Sequence, residues 1–207
     1  MGINMTGMSS GSTTPSPNQG ASLLNLNKGD LLNLTKKNPG LIRIKAGLAW
    51  DEPDLGGPFD LDLSAFLLGS NRKCPGVDHV IYFNNETIPY GIKYSGDKRN
   101  GDAEGDDEFI ELDLTKIPPH INEIVFVATI FEAFKLHQNF GMVKNAMIVL
   151  YNGDNDKHLV QFNLTDDNST NTAQIFASVV RNGNEWDFRA IGEGSLNDLN
   201  GLAGKFF

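Results

Sequence analysis

The chain has 207 residues, a formal net charge of −9 at pH 7 and one cysteine. A single cysteine excludes an internal disulfide framework and a thiolate metal cluster, and it favours a reducing, cytoplasmic location. The acidic balance and the absence of a basic stripe exclude nucleic acid as a partner, because its phosphates would be repelled.

The length predicts one domain with tails. Residues 1–20 are rich in Gly, Ser, Thr and Pro and lack the basic and apolar regions of a signal peptide, so we expect a disordered leader. The domain is predicted at 21–192, and a C-terminal tail follows at 193–207. No run approaches the ~18 apolar residues of a membrane span, so no insertion into a membrane is expected.

Short runs of alternating residues, separated by turns rich in Gly, Pro, Asn and Asp, predict an antiparallel β-sandwich. The runs are 41–50, 59–63, 79–83, 90–95, 109–114, 123–131, 146–151, 158–164, 173–181 and 185–191. In the first run, one face is predicted to carry Ile42, Ile44, Ala46, Leu48 and Trp50. Short helices are predicted only near 132–137 and at the C-terminus, where Leu196, Leu199, Leu202 and Phe206 recur at helical spacing.

The negative charge is concentrated in one third of the chain. Residues 51–113 hold fifteen acidic and five basic side chains, a net −10, whereas the rest of the chain carries a net +1. This distribution is typical of a site rather than of a diffusely acidic surface.

The most acidic segment is 96–108, in which six of thirteen residues are acidic and three are glycine. Carboxylates at this density repel one another, so tight folding requires a countercharge. Ca²⁺ takes about six to eight oxygen ligands, and glycines let the backbone turn its carbonyls inward. A solvated acidic loop is the alternative. The spacing does not fit an EF-hand, because counting from Asp97 puts Arg99 third and Asp102 at the sixth position, where glycine is required.

A second acidic feature is the pair Asp60 and Asp62. Two residues apart on a predicted strand, they share a face and could present two carboxylates to one ion. Paired carboxylates also serve as general acid and base in glycosidases, so these two residues alone leave a hydrolase open.

Four segments carry a resemblance to a known family. They are Gly-Leu-Ala-Trp at 47–50 leading to Phe-Asp-Leu-Asp at 59–62, the loop at 96–108, Gln-Asn-Phe-Gly at 138–141, and Asn-Glu-Trp-Asp-Phe-Arg-Ala-Ile-Gly at 184–192. In their order and spacing, over roughly residues 22–192, the chain closely resembles the TerD family of tellurium-resistance and bacterial stress proteins.

The loop carries the most specific part of this resemblance. The family pattern is Gly-Asp-Asn-x-Thr-Gly-x-Gly-x-Gly-Asp-Asp-Glu. The chain matches it at Gly96, Asp97, Gly101, Gly105, Asp106, Asp107 and Glu108. It departs from the pattern at Lys98, Asn100 and Ala103, and the lysine cannot supply the oxygen of the family's asparagine.

The resemblance implies a β-sandwich that binds calcium, expected as two ions, through this acidic cluster. The candidate ligands are Asp60, Asp62, Asp97, Gly101, Gly105, Asp106, Asp107 and Glu108. Candidate supporting residues are Asp51, Asn100, Asp102 and Asn139.

The resemblance predicts a non-enzymatic calcium-binding stress protein, acting as a scaffold or sensor in resistance to tellurite and related chemical stress. The expected partners are other stress-resistance proteins, at the inner face of a membrane. Some relatives resemble proteins described as binding cyclic AMP. A small-ligand module of the cyclic-nucleotide type, with calcium as a structural or bridging ion, is therefore the alternative.

The remaining candidates are weaker. The histidines, at His79, His120, His137 and His158, have no paired ligand spacing and are interpreted as surface or strand residues rather than a zinc site. Cys74 has no resolving partner for thiol chemistry with tellurite. Trp186 and Phe188 alternate on a predicted strand and are expected in the core.

Overall fold

The computed structural model of the chain describes residues 24–51, 59–96, 108–163 and 170–207. Strands dominate these ranges, which confirms the predicted all-β sandwich. The strands are β1 Leu24–Asn25, β2 Leu31–Asn33, β3 Arg43–Asp51, β4 Leu61–Leu68, β5 Val80–Ile81, β6 Thr87–Ile88, β7 Ile92–Tyr94, β8 Glu108–Asp113, β9 Glu123–Ile130, β10 Lys144–Asn152, β11 His158–Asn163, β12 Ala173–Asn182 and β13 Glu185–Ser195. The helices are α1 Leu34–Lys37, α2 Ala133–Leu136 and α3 Leu199–Ala203, and single 3-10 turns occupy Val77–His79 and Phe140–Met142. Helices α2 and α3 lie where the sequence predicts helix.

The described strands form two sheets. Sheet A has the order β1-β11-β10-β3-β8-β7-β6, and sheet B has the order β2-β13-β12-β9-β4-β5. The pairings are antiparallel except β1 with β11. The two inner faces bury one large apolar cluster between them, and it includes Trp186 and Phe188, as predicted.

Strand β3 shows how the alternating sequence sets the inner face. Ile44, Ala46, Leu48 and Trp50 are buried as predicted, because successive side chains of a strand point to opposite faces. The prediction for Ile42 is wrong. That residue is 47% exposed, because the strand begins only at Arg43.

Sheet B is also covered on its outer face, which explains why every residue of β4 and of β9 is buried. A second apolar cluster joins Phe66 and Val127 to Leu202 and Phe206 of the C-terminal segment. The rings of Phe66 and Phe206 lie 4.8 Å apart. The predicted domain boundary at residue 192 falls inside β13, and Leu196, predicted on the helical stripe, is exposed and precedes α3.

Arg181, near the end of β12, ties the connection before β9 to sheet B. Its guanidinium donates to the carbonyls of Ile117, Pro118 and Ile121 at 3.0, 3.2 and 3.1 Å. The same group lies 4.3 Å from the ring centre of Trp186. Partial burial lowers the pKa of the Arg181 guanidinium from its ordinary value.

We expect Arg181→Met to destabilise the fold by about 2 kcal/mol, because it removes charge-assisted hydrogen bonds to several carbonyls at once. Urea unfolding followed by circular dichroism measures the change. The matched control is Arg43→Met, which removes an exposed ion pair with Asp154 of 2.6 Å and should change stability much less. Equal midpoints for the two variants would show that Arg181 does not hold this connection.

Candidate metal centre

The strand ends that flank the acidic sequence segments meet at one end of the sandwich. In sheet A, β3 ends at Asp51 and β8 begins at Glu108, which lies opposite Leu48. Strand β10 begins at Lys144, opposite Asp51. Antiparallel pairing therefore brings the end of β3 and the starts of β8 and β10 to the same end of the sheet.

Sheet B contributes the start of β4 to this end. Leu61 lies opposite Ile130, the last residue of β9, and the carbonyl of Asp60 accepts from the Phe131 N–H at 2.8 Å. The Phe-Asp-Leu-Asp segment is thus held in place by the ladder with β9.

Glu108 links the two sheets at this end. Its carboxylate oxygen Oε2 accepts from the backbone N–H of Leu63 at 2.7 Å, and the residue is fully buried. Glu108 shares one face of β8 with the core residues Ile110 and Leu112, so its side chain points into the sandwich. The end of the acidic loop is therefore fixed beside the acidic strand, 45 residues away in sequence.

The other described candidates occupy three different surroundings. Asp62 is almost fully buried opposite Thr129 and lines a pocket on the outer face of sheet B. Asp51 is exposed, and its Oδ2 accepts from the side-chain amide of Asn145 at 2.6 Å. Asn139 precedes the 3-10 turn at Phe140–Met142, and its carbonyl accepts from the Met142 N–H at 3.0 Å. This contact belongs to the turn.

The remaining candidates lie outside the described residues. They are Asp97, Asn100, Gly101, Asp102, Gly105, Asp106 and Asp107. Within the described ranges, no three His, Cys, Asp or Glu side chains are close enough to hold a metal ion. The donors present are carboxylates, which suit a hard cation such as Ca²⁺, and a complete site would need ligands from the segments that flank Glu108 and Asp60.

The structure also assembles a cluster that sequence spacing did not indicate. The ring centres of His79 and His120 lie 6.3 Å apart, and Tyr90 lies 5.5 Å from the first and 6.4 Å from the second. The Nδ1 atom of His79 donates to the carboxylate of Asp78 at 2.9 Å, since a carboxylate only accepts, and Nε2 then faces the Tyr90 hydroxyl at 3.2 Å. These residues come from separate turns, so only the fold brings them together.

Cys74 is buried in the second apolar cluster. Its Sγ lies 3.4 Å from the carbonyl of Gly76. Burial raises the pKa of the Cys74 thiol above its ordinary value. A raised pKa lowers the thiolate fraction at neutral pH, and the thiolate is the reactive form.

We expect Cys74 in the folded protein to react with a disulfide reagent such as DTNB at least about tenfold more slowly than in urea-unfolded protein at pH 7.5. Burial limits the access of the reagent to the sulfur, and the raised pKa lowers the fraction of reactive thiolate. Absorbance of the released thionitrobenzoate gives the rate. Fast labelling of the native protein would revive a redox role for this residue.

In the described part of the chain, no helix is both long enough and apolar enough to cross a membrane.

The chain is similar to known proteins over most of its length. A family model described as the TerD domain matches residues 23–206. The chain is 39% identical over 185 residues to "Tellurium resistance protein TerD" of Serratia marcescens, spanning 88% of this chain and 96% of that protein. It is 39% identical over 183 residues to "General stress protein 16U" of Bacillus subtilis (strain 168), spanning 87% and 95%.

A solved structure shows a similar fold. The crystal structure of a homologue of the telluride resistance protein TerD from Streptomyces coelicolor A3(2) superposes with a TM-score of 0.66, over 79% of this chain and 96% of that one. At 24% sequence identity, this likeness concerns the fold alone.

Proposed function

The chain belongs to the TerD family of tellurium-resistance and stress-response proteins, and from this premise we propose that it is a calcium-binding stress protein that acts without catalysing a reaction. The ion would sit at the acidic end of the sandwich, between the strand that carries Asp60 and the loop that ends at Glu108. Its role would be to hold that end in a shape that a partner recognises.

The observation that supports this proposal best is the contact between Glu108 and Leu63. It brings together the two acidic segments that the sequence keeps far apart. A fully buried carboxylate is costly unless a cation or hydrogen-bond donors stabilise it. A divalent ion held by Glu108, Asp60 and loop oxygens would add to the stabilisation that the Leu63 N–H provides and would couple the fold of this end to calcium.

The charge at this end supports the same proposal. The segments 52–58, 97–107 and 164–169 connect strands whose termini lie at this end, and they carry nine acidic residues against Lys98 and Arg99. Their mutual repulsion would be offset by bound divalent cations. Bound calcium contributes to folding stability by mass action, by roughly 2.7 kcal/mol at a hundredfold excess over Kd.

Two alternatives are weaker on physical grounds. A hydrolase would rest on Asp60 and Asp62 alone, since among the described residues no third His, Cys, Asp or Glu side chain gathers with them. A cyclic-nucleotide module would bring a phosphate to a strongly acidic end, where it is repelled unless calcium bridges the two. Scaffold or sensor is therefore the proposed role.

We expect the protein to bind Ca²⁺ much more tightly than Mg²⁺, because flexible carboxylate and carbonyl ligands favour a large coordination number over a rigid octahedron. Glu108→Gln should weaken calcium binding by about tenfold or more, since it removes a ligand charge at a buried site. The glutamine oxygen can still accept from Leu63, so the sheets stay joined. Isothermal titration calorimetry of both ions measures these differences.

The matched control for this titration is Glu111→Gln, on the same strand but exposed and opposite Lys45 and Lys93. It removes one negative charge without touching the acidic end, so affinity should stay close to the parent value. An equal loss of calcium affinity in both variants would show that the effect comes from the change in net charge and not from a ligand role of Glu108. Unchanged calcium affinity in Asp60→Asn, together with the loss of a hydrolytic activity, would favour the enzyme instead.

We also propose that the partners are other stress-resistance proteins at the inner face of a membrane, and that calcium controls their binding. A pull-down from tellurite-stressed cells should recover such proteins with calcium and lose them in chelator. At an intermediate calcium concentration, the Glu108→Gln variant should no longer recover these proteins, whereas the Glu111→Gln variant should still recover them. Identical recovery with calcium and with chelator contradicts the sensor role.

A further inference from the structure

A pocket of about 490 Å³ opens on the outer face of sheet B, apart from the Glu108 contact. It is lined by Asp62, by residues 129–135 at and beyond the end of β9, by residues 82–84, and by residues 197–200 at the start of α3. This volume lies within the range of small-molecule sites, about 300–1,000 Å³.

The floor of the pocket is polar, and its side chains are almost fully buried. Asp62 and Thr129 lie directly opposite each other on β4 and β9, and they are 6% and 3% exposed. They alternate with residues of the inner core, so they face the outer side of sheet B. A carboxylate in such surroundings acts more strongly on a neighbouring cation than it would in water.

Aromatic residues form much of the wall. Tyr82 and Phe83 stand on one side with their rings edge to face at 5.3 Å. Phe131 and Phe134 stand on the other and are 47% and 57% exposed. Large exposed aromatic side chains are costly to a soluble surface and mark interaction sites when they gather at a cavity.

The turn that presents Phe131 and Phe134 is locally strained. Glu132 and His137, at either end of α2, have φ values of +49° and +54°, which are unfavourable for residues other than glycine. The fold thus maintains a costly backbone shape that keeps two aromatic rings at the mouth of the pocket.

The charged lining is negative. Asp62, Glu132 and Asp198 contribute three acids, and Lys135 contributes one base, which pairs with Glu132 at 2.7 Å. Asp198 also caps α3 by accepting from the Gly201 N–H at 2.8 Å. The pocket therefore carries a net charge of about −2 beside aromatic rings, counting carboxylates as ionised at pH 7.

We propose that this pocket binds a small organic cation, with an alkylated ammonium group against the aromatic rings and its charge facing Asp62 and Asp198. Aromatic faces and carboxylates together form the environment that recognises quaternary ammonium groups. An anionic ligand would be repelled by the lining. A neutral apolar ligand would not use the negative charge of the lining, and among the described residues no group of three His, Cys, Asp or Glu side chains is placed to hold a bare metal ion.

Choline is the probe for this site, and its neutral carbon isostere 3,3-dimethylbutan-1-ol is the matched ligand control. In ¹H–¹⁵N NMR titrations of the full-length protein, choline should give saturable shifts at residues 129–135 and 197–200. The isostere should bind at least about fivefold more weakly, since it lacks the charge that the rings and acids attract.

Protein variants separate the contributions of rings and charge. Phe134→Ala should weaken choline binding by about two- to fivefold, whereas Leu136→Ala should not, because Leu136 is similarly exposed at 50% but does not line the pocket. Asp198→Asn should weaken choline by about two- to fivefold and leave the isostere unaffected, since asparagine still caps α3.

Asp62 stays unchanged in these variants because it is also a candidate calcium ligand, so none of them alters a residue of the proposed calcium site. No saturable shift with choline, equal affinity for choline and its isostere, or shifts confined to residues outside the pocket would each overturn the assignment.

Discussion

The hydrogen bond from the Leu63 N–H to the Glu108 carboxylate is the contact on which the acidic end of this protein depends. It joins the two sheets at one end through a side chain that is fully buried. Neither β4 nor β8 alone could bring Asp60 near Glu108. Because Glu108 closes the acidic loop and Leu63 lies within the acidic strand, one 2.7 Å contact fixes the distance between two regions of strong negative charge.

The fold separates this end from the outer face of sheet B. On the outer face, the C-terminal segment covers an apolar cluster and leaves a pocket beside it. Asp62 lies on β4, and Asp60 immediately precedes that strand. This segment thus connects the proposed calcium centre with the proposed cation pocket, and an ion bound at the start of β4 would act on the same segment that forms the pocket floor.

The sequence was sufficient for much of the fold, because alternation along β3 and β13 follows directly from the two-residue period of a strand. The sequence misplaced Ile42, because the alternating pattern already includes residue 42 whereas strand pairing begins only at Arg43. It also could not show the outer apolar layer, since Phe66 and Phe206 meet only after the C-terminus folds back. For the candidate site, the resemblance predicted that Asp60 and Glu108 belong to one acidic cluster, whereas the contact between Glu108 and the Leu63 N–H needed the structure. The His79 and His120 cluster and the aromatic pocket arise from separate turns, which no local pattern reports.

The proposed function requires one ion that bridges the acidic strand and the acidic loop. A crystal structure of the calcium-loaded protein, with the ion located by its anomalous scattering, would show this bridge. We expect an ion with oxygens of both Asp60 and Glu108 in its coordination sphere, at about 2.3–2.6 Å. An ion held by one of these segments alone, or a well-ordered acidic end without calcium at saturating concentration, would contradict it.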